Sequence, residues 1–377
     1  MKILISPDSF KDAADSDAIG LAIESGFLAV DDSFNTKVCS LADGGEGTSL
    51  ILNKALNGEW TTTKVVDPLN RPIDAGFAWI PDRKLAIIEL AQASGYQLLK
   101  PHERNPMHTT TFGTGMLIRY AVSMGAEEVV LCIGSSATND LATGLAAALG
   151  YRFYNDQGLV EVPRGQDLIQ INRIEKTIDI DDIKFTVLCD VNNPLYGPSG
   201  AAHIYGPQKG ASSTDIDKLD QGLRHMADLI QSRLGVNVHD VSGGGAAGGV
   251  GAGSLAFLNA DLQPGIKTIK ELIDFDKAVE WCDLIITGEG RLDQQTMRGK
   301  LIKGVIQSAQ AYQKPVIAIA GEVSLSDGDI KKLGLLAAFS ITNGARPLGE
   351  ALPRTLNDVR HLSTQLASMV KGLVSVK

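Results

Sequence analysis

Five apolar, β-branched runs in this chain each end in a loop of similar chemistry. Lys2–Ser6 leads into Pro7-Asp8-Ser9-Phe10-Lys11, and Thr36–Leu41 into Ala42-Asp43-Gly44-Gly45-Glu46-Gly47-Thr48. Glu128–Ile133 leads into Gly134-Ser135-Ser136-Ala137-Thr138-Asn139-Asp140. Lys184–Cys189 leads into Asp190-Val191-Asn192-Asn193-Pro194, with Gly206-Pro207-Gln208-Lys209-Gly210 further on. The run ending at Ile286 leads into Thr287-Gly288-Glu289-Gly290-Arg291-Leu292-Asp293. One such loop is ordinary turn and helix-capping chemistry. Five together suggest a shared purpose. Gly and Ser beside a helix start expose N–H groups that suit phosphate oxygens. Carboxylates suit Mg²⁺ or a general base, and Lys or Arg suits a phosphate or a substrate carboxylate. The combination points to phosphoryl transfer, which asks for positioning and charge neutralisation.

Two motifs that suggest other chemistry carry less weight. Gly243-Gly244-Gly245-Ala246-Ala247-Gly248 fits GxGxxG, with Asp261 downstream, and would make the chain an NAD-dependent oxidoreductase. Seven glycines fall between Gly243 and Gly253, however, and Val236–Val241 before them is a poor strand. A flexible or tightly packed glycine loop is the commoner explanation, and a phosphate-cradling loop sits between the two. Gly299-Lys300 is no Walker A motif, because Gln294 and Leu301 occupy the positions of its first glycine and its hydroxyl. His108–Gly115 reads mostly as a helix start, though its hydroxyls and free N–H groups could hold an anion, and Asn155-Asp156-Gln157-Gly158 reads as a hairpin turn.

The elements that must hold these loops alternate short strands with amphipathic helices, the pattern of an α/β protein. Glu59–Val66, Ile73–Ile80 and Leu85–Leu90, joined by turn-forming residues, break the alternation and read as an antiparallel meander. Regular alternation resumes after Cys282. The expected architecture is a flavodoxin-like doubly wound parallel sheet from 1–58 and 283–377. A mixed α/β domain, 59–282, is inserted in it, with the active site in the cleft between the two. The 377 residues fit two domains. A net charge of −9 argues against a nucleic-acid partner. No apolar run reaches membrane-spanning length and no signal peptide is evident, so a cytoplasmic protein is expected. Cys39, Cys132, Cys189 and Cys282 form no CxxC pair, the six histidines lack ligand spacing, and a zinc site is not expected.

In this order, the loops resemble those of the type I glycerate kinase family. The matching stretches are the five loops, Glu103-Arg104-Asn105-Pro106, Thr109–Gly115, and Tyr205–Ala211, spread over nearly the whole chain. Asp12-Ala13-Ala14-Asp15 departs from the family's usual Glu-Ser-Leu, and Ser242-Gly243 from its Pro-Gly. The resemblance implies transfer of the ATP γ-phosphate to the 2-hydroxyl of D-glycerate with Mg²⁺, in a two-part α/β fold. For that reaction Lys11 or Arg291 is expected to clamp the glycerate carboxylate, near Asp8 and Ser9. Asp190 or Asp43 is expected to accept the hydroxyl proton, while Asp8, Glu289 and Asp293 compete for Mg²⁺. Ser135, Ser136, Thr138, Asn139, Lys209 and Gly288 are expected to hold ATP phosphates. The alternatives are a 3-kinase, the oxidoreductase above, and a sugar-acid-binding sensor. A homodimer is compatible with the sequence, although no exposed apolar stripe points clearly to an interface.

Overall fold

The computed structural model describes residues 1–42, 44–177, 180–297, 301–344 and 346–374. The chain forms two compact units, Met1–Asp43 with Ile266–Lys377, and Gly44–Gly265. The strands, in chain order, are β1 (Lys2–Pro7), β2 (Asn35–Val38), β3 (Glu59–Val66), β4 (Pro72–Ile80), β5 (Leu85–Glu89), β6 (Glu128–Cys132) and β7 (Tyr151–Asn155). They continue with β8 (Gly158–Val160), β9 (Arg173–Lys176), β10 (Lys184–Leu188), β11 (Asp261–Gln263), β12 (Leu284–Leu292), β13 (Val316–Val323) and β14 (Ala337–Ser340).

The first unit is a sheet in the order β14-β13-β12-β1-β2, parallel throughout. Read from β2, that is the 2-1-3-4-5 winding of flavodoxin-like folds, whose switch point lies between its first and third strands, here β1 and β12. Ile3, Ile5, Leu284, Ile286, Ile317 and Ile319 alternate onto one face and share a core with Ile19, Ile23, Val359 and Leu366. The last four lie on the helices Ser16–Leu28 and Thr355–Val374. Those helices approach closely at Gly26, where a Cβ would stand 2.6 Å from that of Ser363.

The second unit has a sheet in the order β11-β10-β6-β5-β4-β3. β3, β4 and β5 form the expected antiparallel meander, and β5, β6, β10 and β11 run parallel. Glu89, Cys132, Leu188 and Gln263 therefore end four strands at one carboxyl edge. The hairpin at Asn155–Gly158 joins β7 to β8, and β9 completes a small separate sheet. Among the described residues no helix is long and apolar enough to cross a membrane.

Three features differ from the sequence reading. The units change at 43/44 and 265/266, not at 58/59 and 282/283. Helix Thr48–Ala55 packs on β4 and β5, and the Ser49 N–H and hydroxyl both bond Glu89 at 2.7 Å. Helices Gly265–Leu272 and Phe275–Trp281 instead pack with the first unit, through Lys270 to the Gly304 carbonyl and Ser308 to Asp276. β12 also continues to Leu292, so Thr287–Leu292 is strand where a loop was expected. Finally, the glycine run opens helix Ala246–Leu258. A Cβ on Gly248 would lie 2.0 Å from the Thr138 carbonyl oxygen, so the run packs tightly behind that loop and follows no strand.

Candidate active site

The first unit has a cleft of about 1330 Å³ at its switch point, lined by Asp8, Ser9, Lys11, Glu289, Arg291 and Asp293 among others. The β1 and β12 ends build it. The Asp8 N–H donates to the Gly288 carbonyl at 2.7 Å, and Asp8 Oδ1 accepts the Ser9 N–H at 2.7 Å. Phe10 is buried in the core, and its carbonyl accepts the N–H groups of Ala13 and Ala14. That anchor turns the chain sharply and leaves Lys11 exposed at the tip.

The strand ladder sets Arg291 opposite Glu322, and Arg291 Nη2 lies 3.1 Å from Glu322 Oε1. Arg291 Nε is 3.6 Å from Asp293 Oδ2. Thr296 donates its hydroxyl to Glu289, while the Asp293 N–H donates to the Thr296 oxygen at 3.0 Å. Burial raises the Glu289 carboxyl above its ordinary range, and the negative charges of Asp8 and Asp293 push the same way. The Thr296 hydrogen bond and Lys11 oppose that shift. Crowded carboxylates of this kind suit a divalent cation, whose charge reverses the repulsion. No three His, Cys, Asp or Glu side chains form a ready metal cage among the described residues. Mg²⁺ does not require one, since it commonly takes one or two carboxylates together with phosphate oxygens.

The second unit places its charges differently. Lys209 is 4% exposed and donates to Ser136 Oγ and to the Thr138 carbonyl, both at 2.7 Å. Burial lowers its pKa to about 7, with Asp140 opposing the shift. Asp140 is fully buried, and burial raises it to about 6 even though its Oδ2 accepts the N–H and hydroxyl of Thr111. Thr138 Oγ1, Asn139 Nδ2 and Asp140 Oδ1 are buried without a hydrogen-bond partner. Ser135, Leu141 and Ala142 all adopt positive φ, a concentration of backbone strain of the kind that functional sites hold. The Gly44–Gly47 turn lies over the same edge: a Cβ on Gly134 would stand 3.3 Å from Gly45 Cα. Asp190, just past β10, is half-buried, and its Oδ1 accepts the Gly265 N–H at 3.2 Å.

Asp8, Ser9, Lys11, Glu289, Arg291 and Asp293 thus come together in one unit, and Ser135, Ser136, Thr138, Asn139 and Lys209 in the other. Gly288 departs from its expected place in a phosphate loop. It lies within β12, paired with Pro7 and Ile319, and its carbonyl is used by Asp8. Asp43 and the Gly299-Lys300 pair lie outside the described residues. Sequence reasoning assigned no role to Glu89, Thr296 or Glu322. Glu322 shows itself only through strand register, which places it across from Arg291.

One flavodoxin-type unit with a charged switch-point cleft and one further α/β unit with a buried lysine among hydroxyls define an α/β protein equipped for anionic ligands. The chain belongs to the glycerate kinase family, whose model matches residues 3–371. It is 42% identical over 374 residues to a glycerate kinase of Bacillus subtilis (strain 168), covering 98% of each chain. It is 39% identical to the glycerate 2-kinase of Escherichia coli (strain K12), covering 98% of this chain and 97% of that one. A solved structure described as a glycerate kinase 2 from Salmonella typhimurium LT2 superposes with a TM-score of 0.90 at 38% identity, covering 100% and 99% of the two chains.

Proposed function

We propose that this protein transfers the γ-phosphoryl group of ATP to the 2-hydroxyl of D-glycerate, giving 2-phosphoglycerate, with Mg²⁺ as cofactor, in the cytoplasm. The observation that carries the reading is the grouping of Asp8, Lys11, Glu289, Arg291 and Asp293 in one switch-point cleft of a glycerate kinase family member. Choice of the 2-hydroxyl rests on the likeness to the E. coli glycerate 2-kinase.

Lys11 is the stronger candidate to hold the glycerate carboxylate, because Arg291 is already paired with Glu322 and Asp293. Asp190 is the general base of this reading, taking the hydroxyl proton as the oxygen attacks phosphorus, with Asp43 as its alternative. Ser135, Ser136, Thr138, Asn139 and Lys209 hold phosphate oxygens through hydroxyl, amide and ammonium donors. Asp8, Glu289 and Asp293 are the candidate ligands of Mg²⁺, which when bound neutralises charge on the phosphate oxygens.

The direct test is ADP release by the purified chain. We expect release that requires D-glycerate, ATP and Mg²⁺ together. A chain that binds glycerate but forms no ADP would instead be a sugar-acid sensor. A nicotinamide absorbance change with glycerate and no ATP consumption would make it an oxidoreductase.

A further inference from the structure

The turn that carries Lys209 abuts a second cation, Arg104, to which neither the sequence reading nor the proposed roles give a task. Arg104 follows the turn Pro101–Glu103 and packs against the backbone of the Lys209-Gly210 turn. A Cβ on Gly210 would lie 2.1 Å from the Arg104 carbonyl oxygen and 3.2 Å from Arg104 Cβ, and Gly210 has a φ of +91°. Only glycine fits there, and the turn that presents Lys209 is therefore seated directly on Arg104. The Arg104 guanidinium carbon stands 5.3 Å from the Tyr96 ring centroid. The Tyr96 N–H donates to the Ser135 carbonyl at 3.1 Å, and Gly95 bridges Ser136. The ring that supports Arg104 is thus tied to the loop whose Ser136 hydroxyl receives the Lys209 ammonium.

Arg104 Nε is buried and has no acceptor. Its neighbour Glu103 is taken by Arg71 at 2.7 Å and by the Lys100 N–H at 2.9 Å. No ion pair involves Arg104 among the described residues. Buried donors are almost always satisfied in native proteins, so an orphan guanidinium N–H calls for an explanation. Around this one loop most of the orphans can donate, the exception being the acceptor Asp140 Oδ1. Arg104 Nε and Asn139 Nδ2 are donors, Thr138 Oγ1 can donate, and Lys209 stands among them. The aromatic face holds the guanidinium while leaving its fork for an oxyanion.

We infer that Arg104 binds the polyphosphate chain of the nucleotide together with Lys209. Two cations and neutral donors match a chain of several negative charges better than the single carboxylate of a hydroxy acid. Naming that chain as a nucleotide's rests on the kinase reading above, whereas the polyphosphate chemistry rests on the residues.

The test compares the wild-type chain with R104M and R104K by calorimetric titration with inorganic tripolyphosphate, and by KM for ATP and for D-glycerate. In R104M we expect Kd for tripolyphosphate and KM for ATP to rise about 10- to 100-fold, with KM for D-glycerate within about twofold of wild type. R104K keeps the stem and the charge without the fork, so a rise of about fivefold is expected even if R104M folds poorly. Wild-type tripolyphosphate affinity in R104K, or a larger effect on glycerate than on ATP, would overturn the assignment. Failure of the wild-type chain to bind tripolyphosphate would also overturn it. A wild-type chain that binds tripolyphosphate in an Arg104-dependent way but never phosphorylates glycerate would sink the kinase reading and leave the assignment standing.

Discussion

The two units hold the same residue types in opposite surroundings. In the switch-point cleft the charges pair with one another near water: Arg291 and Glu322 keep 59% and 57% of their side-chain surface exposed. In the other unit Lys209 and Asp140 are buried among hydroxyls and backbone carbonyls, and burial moves each toward its neutral form. Exposed charges are screened, contribute little to stability and stay ionised. Buried ones are strained toward neutrality and gain most from a ligand that completes them. The cleft thus gathers charges that suit a cation and a carboxylate, with Glu289 alone pushed toward neutrality, and the buried loop holds unpaired donors, beside the acceptor Asp140 Oδ1, that suit an anion.

The largest effect should come from Asp190→Asn, which we expect to lower kcat by roughly 10²–10⁴-fold if it is the general base. Near-normal turnover would transfer the role to Asp43. Lys209→Met comes next, with kcat/KM for ATP falling about 10²–10³-fold. The same variant should gain stability, because Lys209 is driven from 10.5 to about 7 in the folded state. The unfolded chain then binds the extra proton between those values, so wild-type stability rises with pH across that window. The gain of Lys209→Met in melting temperature should therefore be greatest near pH 7 and shrink toward pH 10. A gain that grows with pH would contradict a depressed Lys209. In the same sense, kcat/KM for ATP should decline as pH rises through about 7, since the free enzyme loses the Lys209 proton.

Effects in the cleft should be smaller and more sensitive to conditions. Glu289→Gln should raise the Mg²⁺ concentration needed for half-maximal rate about tenfold, since a charged ligand becomes a neutral one. An unchanged Mg²⁺ requirement would leave Asp8 and Asp293 as the candidates. Arg291→Gln should change KM for glycerate by only a few-fold, an effect that fades at high salt, as expected of an exposed pair. A hundredfold rise would instead make Arg291, and not Lys11, the carboxylate clamp.

Much of this was legible in the sequence because it is local. β3 occupies the read span Glu59–Val66, and loop chemistry marked Asp8, Lys11, Ser136, Thr138 and Lys209. What escaped reading depends on partners distant in the chain. The extension of β12 through Gly288 to Leu292 relies on pairing with β13, which no local turn signal in Thr287-Gly288-Glu289-Gly290 reveals. The unit boundary depends on Ser49 reaching Glu89, 40 residues away. Lys209 and Asp140 could be named but not weighed, since burial is the largest influence on their protonation. The GxGxxG match needed the Thr138 carbonyl at its back before it could be read as packing.

The central claim is tested most directly by ³¹P NMR of the product formed from D-glycerate and ATP with Mg²⁺, with enolase then added alone. The account expects a single phosphomonoester that enolase converts to phosphoenolpyruvate without a mutase. A product that enolase leaves untouched until phosphoglycerate mutase is supplied would contradict transfer to the 2-hydroxyl.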